Sequence, residues 1–255
     1  TEIYTLSLHD ALPILIDLYI NMPQAGLHAA FGNRFRRFIS HERRLLPAII
    51  FGAILPDLDV IAVAIGSLFY PIHQAEHIFH RSFSHSFFTL ILIYLLFAIW
   101  SELKNNPSLK SVGKGLVLGM LTHIVLDTFF WFREIHFLWP LPIKPFNLWI
   151  FWEAPDWFNR SMLVLEFFFF RWYAWFLIQK HLQTPNRLSW IVSYLNIWKN
   201  IESGILLIFI ILAYWNPPFF KILFGAAYIP SLIMALWSTY MSRDEIGRAS
   251  CRERV

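Results

Sequence analysis

Residues 45–69 run LLPAIIFGAILPDLDVIAVAIGSLF. The stretch is longer than the ~20 apolar residues that carry a helix across ~30 Å of hydrocarbon. Its only charges are Asp57 and Asp59. Pro56 has no amide donor and interrupts the i→i−4 ladder. The stretch therefore predicts a membrane helix that is broken or re-entrant at Leu55-Pro56-Asp57-Leu58-Asp59. Two carboxylates at membrane depth are expensive to desolvate. A broken helix lets both turn toward one point, where a divalent cation balances them. The plainer alternative is a polar kink or a short interfacial loop.

Five more apolar segments follow, at about Ser84–Trp100, Val112–Phe132, Ser161–Ile178, Ile201–Trp215 and Phe219–Trp237. Residues 136–155 separate the third from the fourth. They hold Pro140, Pro142, Pro145 and Pro155 among aromatics, so they predict irregular backbone at a membrane interface. Asn216-Pro217-Pro218 marks a turn. Charged residues make 15% of the chain against 57% hydrophobic ones, where a soluble domain carries about 25% charged. That balance excludes a disordered chain, a coiled coil and an ordinary cytosolic enzyme. The expected fold class is all-α: a polytopic helical membrane protein of about six apolar helical segments. No internal repeat or low-complexity linker stands out.

Basic residues suggest the topology. Arg34, Arg36, Arg37, Arg43 and Arg44 precede the first segment, and Lys104, Lys110, Lys114, Lys180, Arg187 and Lys199 fall in the other loops of the same side. Opposite loops hold only Arg81, Arg133, Lys144 and Lys221. Six spans with both ends cytoplasmic fit the positive-inside bias.

The ends have a different origin. A DNA stretch that encodes EIGRASCRERV, Glu245 to Val255, encodes TLSLHDALPI, Thr5 to Ile14, on its opposite strand. Residues 1–14 and 245–255 thus have the pattern of a translated sequencing adapter and are set aside. Three arginines, four acids and the single cysteine go with them, leaving 18 Lys and Arg against 13 Asp and Glu. Disulfides and cysteine-ligated metals are excluded. The remainder divides into a site-bearing membrane domain, 22–141, and C-terminal membrane helices, 142–244. Met22 is the expected start, with no signal peptide before it.

Two more patterns carry chemistry. In His80-Arg81-Ser82-Phe83-Ser84-His85-Ser86, the histidines are about 140° apart on a helix. His80 is therefore expected in a loop and His85 in the first turn of the next helix, with Ser82 or Ser84 as N-cap. In His123-Ile124-Val125-Leu126-Asp127, the i, i+4 pair lies about 40° apart on one face. It can share a metal, or Asp127 can orient His123. The alternative is a buried pair that only packs helices. His73, His77, Glu153, Asp156 and Glu166 are weaker candidates. Glu166 and Arg171 are five apart, so an interhelical or interfacial role is expected for them. His136 and His181 have the character of interfacial or loop residues.

Together these patterns supply about six N/O ligands and no sulfur, which suits zinc, manganese or a similar ion. Asp57 and Asp59 would also serve as general base, and Arg81 would stabilise an anionic oxygen.

At these residues the chain resembles the membrane-bound, metal-dependent hydrolases also called LexA-binding, inner-membrane-associated hydrolases. Their pattern is an early His, then G-x-x-L-P-D-[ILV]-D, H-R-x-[FT]-[ST]-H-S and [ST]-H-x-x-x-D. Here these are His28, Gly52 to Asp59, His80 to Ser86 and Thr122 to Asp127, followed by Leu138-Trp139-Pro140. Ser82 stands where the family often has glycine. The resemblance covers about residues 22–141. It implies a bacterial inner-membrane location and a metal set of His28, Asp57, Asp59, His80, His85, His123 and Asp127. The family is similar in motif order to zinc-dependent phospholipase C and P1-type nucleases, which implies hydrolysis of a phosphoester or lipid ester.

Two other functions use the same residue types. Ion, metal or proton transporters place His and Asp within the membrane, but often show paired broken helices, and only one broken segment is evident here. A non-catalytic scaffold or regulatory partner would use them as helix glue. Membrane lipids are expected partners. No nucleic-acid motif is present, and the basic stretch 34–44 is better explained as an anchor near anionic lipid.

Overall fold

A computed structural model describes residues 25–35, 42–130, 134–149, 151, 154–183 and 189–252. Residues 1–14, Met22, Arg133 and Glu153 lie outside the described residues. The chain is helical: α1 Ala25–Arg34, α2 Leu45–Ile54, α3 Asp59–Gly66, α4 Ile72–Phe79, α5 Phe87–Leu103, α6 Pro107–Phe130, α7 Asp156–Leu182, α8 Ser189–Trp215, α9 Pro217–Met241 and α10 Arg243–Arg252.

Among the described residues, five stretches are long and apolar enough to cross a membrane: Leu45–Gly66, Pro107–Phe130, Asp156–Leu182, Trp190–Trp215 and Pro217–Met241. The bent pair His77–His85 and Phe87–Leu103, counted as one span, makes a sixth. These are the six segments expected from hydropathy. The break at Pro56 is a single 3-10 turn, Leu55–Leu58, after which α3 continues. The larger bend, 49°, falls one span later. Ser86 makes that bend by leaving the helical region at ψ 139°, and its Oγ accepts the Phe88 amide. The N-cap is thus Ser86, not Ser82 or Ser84. Ser82 Oγ instead donates back to Ile78 and Phe79 carbonyls, and Ser84 turns inward to Asp59. His85 accordingly sits in a 3-10 turn, Phe83–His85, just ahead of α5.

Helix α2 lies against α6 almost backbone to backbone. A Cβ on Gly52 would collide with the Leu116 carbonyl, and one on Gly119 with the Ile49 carbonyl. Gly115 meets Ala48 and the Leu45 carbonyl in the same way. Lipid gives little hydrophobic drive between spans, so such small-residue contacts, here Gly115-x-x-x-Gly119, set the helix approach. Helix α1 packs between α2 and α7. A core of Phe167, Phe170, Tyr173, Phe220, Phe224 and Tyr228 joins α7 to α9. Ile91, Leu92, Leu95, Leu96 and Ile99 of α5 stay exposed, as expected of a face solvated by lipid tails. Helix α10 overlaps the tail expected to be adapter-derived, and Ile246 seats it against the core.

Up to residue 149, the proline-rich stretch is irregular and straps one end of the bundle. Ile135 and Phe146 form an isolated antiparallel bridge. The His136 amide donates to the Arg81 carbonyl at 3.2 Å, and the Phe87 amide to the Phe137 carbonyl at 2.9 Å.

Candidate metal centre

Four elements converge below that strap. The 3-10 turn after α2 presents Asp57 and leads into Asp59 at the start of α3. The turn ahead of α5 presents His85, α6 presents His123 and Asp127, and α1 presents His28. Asp57, His85 and His123 are each 0% exposed, and His28 and Asp127 1%.

The protons can be traced. His123 Nδ1 lies 2.8 Å from the Ala53 carbonyl oxygen. A carbonyl only accepts, so Nδ1 carries a proton, and in that tautomer Nε2 is the lone pair. Ser84 Oγ donates to Asp59 Oδ2 at 2.8 Å and lies 2.8 Å from His85 Nδ1. Its one proton is spent on Asp59, so His85 Nδ1 must donate to it, and His85 Nε2 is a lone pair too. The two Nε2 atoms face each other at 3.1 Å.

Carboxylates close the space. Asp127 Oδ2 lies 3.3 Å from His85 Nε2 and 3.6 Å from His123 Nε2. Asp57 Oδ1 lies 3.3 Å from His123 Nε2. Both oxygens of Asp57 and Oδ2 of Asp127 are buried without a hydrogen-bond partner. Asp127 has the Arg81 guanidinium beside it at 3.4 Å, but Asp57 has no such partner, and an unpaired carboxylate costs several kcal/mol in such surroundings. Lone pairs aimed at lone pairs and carboxylates need a positive centre, so the donor set fits a bound cation. Among the described residues, two triads could hold a metal ion, His28–Asp57–His123 and His85–His123–Asp127, each with one ligand atom per residue within 4.8 Å of the others. His123 has only Nε2 to give, so it can serve one ion.

His28 completes the cluster. Its ring stacks on His123 with centroids 3.8 Å apart, and Nε2 lies 3.1 Å from Asp127 Oδ1. Helix α1 is none of the candidate spans. Burial, then His123, pushes the His28 pKa down to about 4, which leaves the ring neutral at pH 7, the ligating form.

Asp59 and His80 occupy neighbouring ground. Asp59 accepts from His80 Nδ1 at 2.9 Å, the Arg81 amide at 2.9 Å and Ser84. Neither triad contains Asp59 or His80. Asp59 is saturated with donors and orients His85 through Ser84, the usual task of a carboxylate behind a metal-binding histidine. Arg81 has φ 53°, a left-handed backbone that a non-glycine residue adopts at a cost and keeps where the surroundings hold it. That turn lets its amide reach Asp59 while its guanidinium Nε lies 3.4 Å from Asp127 Oδ2.

The weaker candidates separate. His77 is exposed on α4, 6.0 Å from the His136 ring. The side chain of His73 is outside the described set. Asp156 is exposed at the start of α7. Arg171 Nε donates to Ser203 Oγ at 2.9 Å. Glu166 is fully buried and accepts the Gly26 amide at 2.6 Å and the Leu27 amide at 3.4 Å. It therefore caps α1 two residues before His28. Buried His181 bonds Ser242. Sequence reasoning missed Ser84 and the glycines of α6 as site-forming residues. The signal for the glycines was present: Gly115-x-x-x-Gly119 in an apolar segment, one turn before His123.

The YdjM inner membrane protein family matches this chain over residues 24–216, well over half of its 255 residues and every member of both triads. No curated protein and no solved structure matches it.

Proposed function

This chain belongs to the YdjM inner membrane protein family, and we propose that it is a membrane-embedded, metal-dependent hydrolase that cleaves a phosphoester or lipid ester. Family and apolar helices make it an integral inner-membrane protein. The hydrolase reading is carried by one observation: His85 Nε2 and His123 Nε2 lie 3.1 Å apart, beside two carboxylates with unbonded buried oxygens.

His28, Asp57, His85, His123 and Asp127 would hold the ion. Nitrogen and oxygen donors without sulfur favour zinc, with manganese the next choice. Such an ion, when bound, supplies Lewis acidity and lowers the pKa of water toward ~7. The chain's own residues supply the rest. Asp57, with no donor on either oxygen, is placed to take a proton from water. Asp59 and Ser84 keep His85 in the ligating tautomer. Arg81 presents a guanidinium next to Asp127, a group suited to the anionic oxygens of a phosphoester.

The test is elemental analysis of the detergent-purified chain beside the double variant Asp57→Ala, His123→Ala. About one zinc or manganese per chain, absent from the variant, is expected and would justify a screen of chromogenic phosphodiesters and phospholipids. No metal in either protein overturns the reading and leaves an ion pathway or helix glue as the use of these residues.

A further inference from the structure

The bundle has a second feature at its other end. Arg43, Arg44, Lys110 and Lys114 line one recess together with Glu42 and Asp244. Through Arg44 and Asp244 that recess continues into a cavity of about 440 Å³ between α2, α5, α6 and α9. The cavity wall is apolar, formed chiefly by Pro47, Phe51, Phe97, Trp100, Val112 and Leu116. Arg243 and Tyr240 close its rim, the guanidinium 4.2 Å above the phenol ring. The volume is that of a small-molecule site, ~300–1,000 Å³.

Charge and apolarity here ask for one kind of occupant. Five cations face two acids, and both acids are already engaged: Glu42 by the Ser111 hydroxyl, Asp244 by Arg43 at 3.2 Å. A soluble anion has no use for the apolar cavity, and a neutral lipid has no use for the cations. Trp100 and Tyr240 stay half exposed, as amphipathic rings do at headgroup level. Lys114 and Asp127 are thirteen residues apart on α6, about 20 Å at ~1.5 Å per residue. The polar recess is therefore far from the metal ligands, while the apolar cavity reaches inward to Phe51 and Leu116. By the positive-inside bias it opens on the cytoplasmic leaflet, where anionic lipid is concentrated.

We propose that this groove is a binding site for one anionic phospholipid, its phosphate among Arg44, Lys110 and Lys114 and an acyl chain in the cavity. The proposal does not depend on the hydrolase reading.

The test uses the full chain in maltoside micelles and measures retention of dioleoyl phosphatidylglycerol against dioleoyl phosphatidylcholine by native mass spectrometry. Phosphatidylglycerol is expected to be held at least tenfold more tightly. Arg44→Gln with Lys114→Gln should remove that preference, since each cation near the surface is worth about fivefold. Val112→Trp fills the cavity at unchanged charge and should weaken retention by at least tenfold. Leu109→Trp, on the same wall, is the second filler should the first misfold. The unaltered chain gives its own control: soluble glycerol 3-phosphate at millimolar concentration should not displace the lipid. Equal retention of the two lipids overturns the site. So does full retention in the filled variants, which would mean surface attraction alone. Complete displacement by glycerol 3-phosphate also overturns it, in favour of a soluble anion.

Discussion

The Nδ1 proton of His123 is bonded to the carbonyl oxygen of Ala53 at 2.8 Å, across the contact between α6 and α2. This one bond ties the packing of two membrane helices to the chemistry of the centre. It exists because Gly52, Gly115 and Gly119 let the backbones touch. It fixes the tautomer that turns the His123 Nε2 lone pair toward His85, Asp57 and Asp127.

Gly119→Ala should therefore damage the centre from a distance. A methyl at that position meets the Ile49 carbonyl and the Ala53 amide, and overpacking of this kind typically costs about 1–3 kcal/mol. The expected result is a lower melting temperature and a more than tenfold loss of zinc affinity, measured by chelator competition. Gly204→Ala is the control, because a Cβ there meets nothing within 4 Å. It should leave zinc affinity unchanged and should not lower the melting temperature. Equal zinc affinity in the two variants would separate the helix contact from the centre.

Ser84 is the next link. Its hydroxyl stands between Asp59 and His85, 2.8 Å from each, while the direct approach of His85 Nδ1 to Asp59 Oδ2 is 3.6 Å. Removing the hydroxyl frees the imidazole to choose its other tautomer. Loss of such an orienting partner typically lowers metal affinity about 10–100-fold. Ser84→Ala should fall in that range with its helical content intact. An affinity equal to that of the parent would refute the proton assignment.

These links explain what the sequence could and could not reveal. The six spans are legible because length and apolarity alone define them. The proline-rich stretch 136–155 is legible because proline forbids a helix. The residues near the centre are legible as types, since His and Asp are costly at membrane depth. Their division of labour is not. Asp57 and Asp59 are two apart, and only the 3-10 turn aims one at the histidines and saturates the other with His80, Arg81 and Ser84. Three serines at 82, 84 and 86 fit a helix cap equally well by type, and it is the extended backbone of Ser86 that decides. Glu166 comes to α1 from 140 residues away, a distance over which local pattern has no reach.

That long-range cap supports a prediction about His28. Glu166 satisfies the Gly26 and Leu27 amides, two of the free donors at the start of α1. Caps are worth about 0.5–2 kcal/mol in water, and unbonded amides cost more away from it. Glu166→Ala should loosen α1 and remove His28 from the centre. The cobalt-substituted protein should then show the same absorption spectrum as His28→Ala, and the double variant should add nothing further. Glu166→Gln keeps a carbonyl acceptor for Gly26 and should restore most of the parent spectrum. A parent-like spectrum for Glu166→Ala would mean that α1 is held by packing against α2 and α7 alone.

On the proposed reading, Arg81 separates binding from turnover. Its guanidinium lies 3.4 Å from Asp127, yet it donates no pair to an ion and cannot be a ligand. Arg81→Lys keeps a cation but loses the planar fork that matches the oxygens of a phosphoester. Metal content should stay near that of the parent. Hydrolysis of bis-p-nitrophenyl phosphate should fall about 10²–10³-fold, the range seen when one anion-stabilising donor is lost. Arg81→Gly relaxes the left-handed backbone at φ 53° and should keep the amide bond to Asp59 while losing the same activity. If instead both variants lose metal with activity, Arg81 serves to hold Asp127 in place, and the anion-binding role passes to another group.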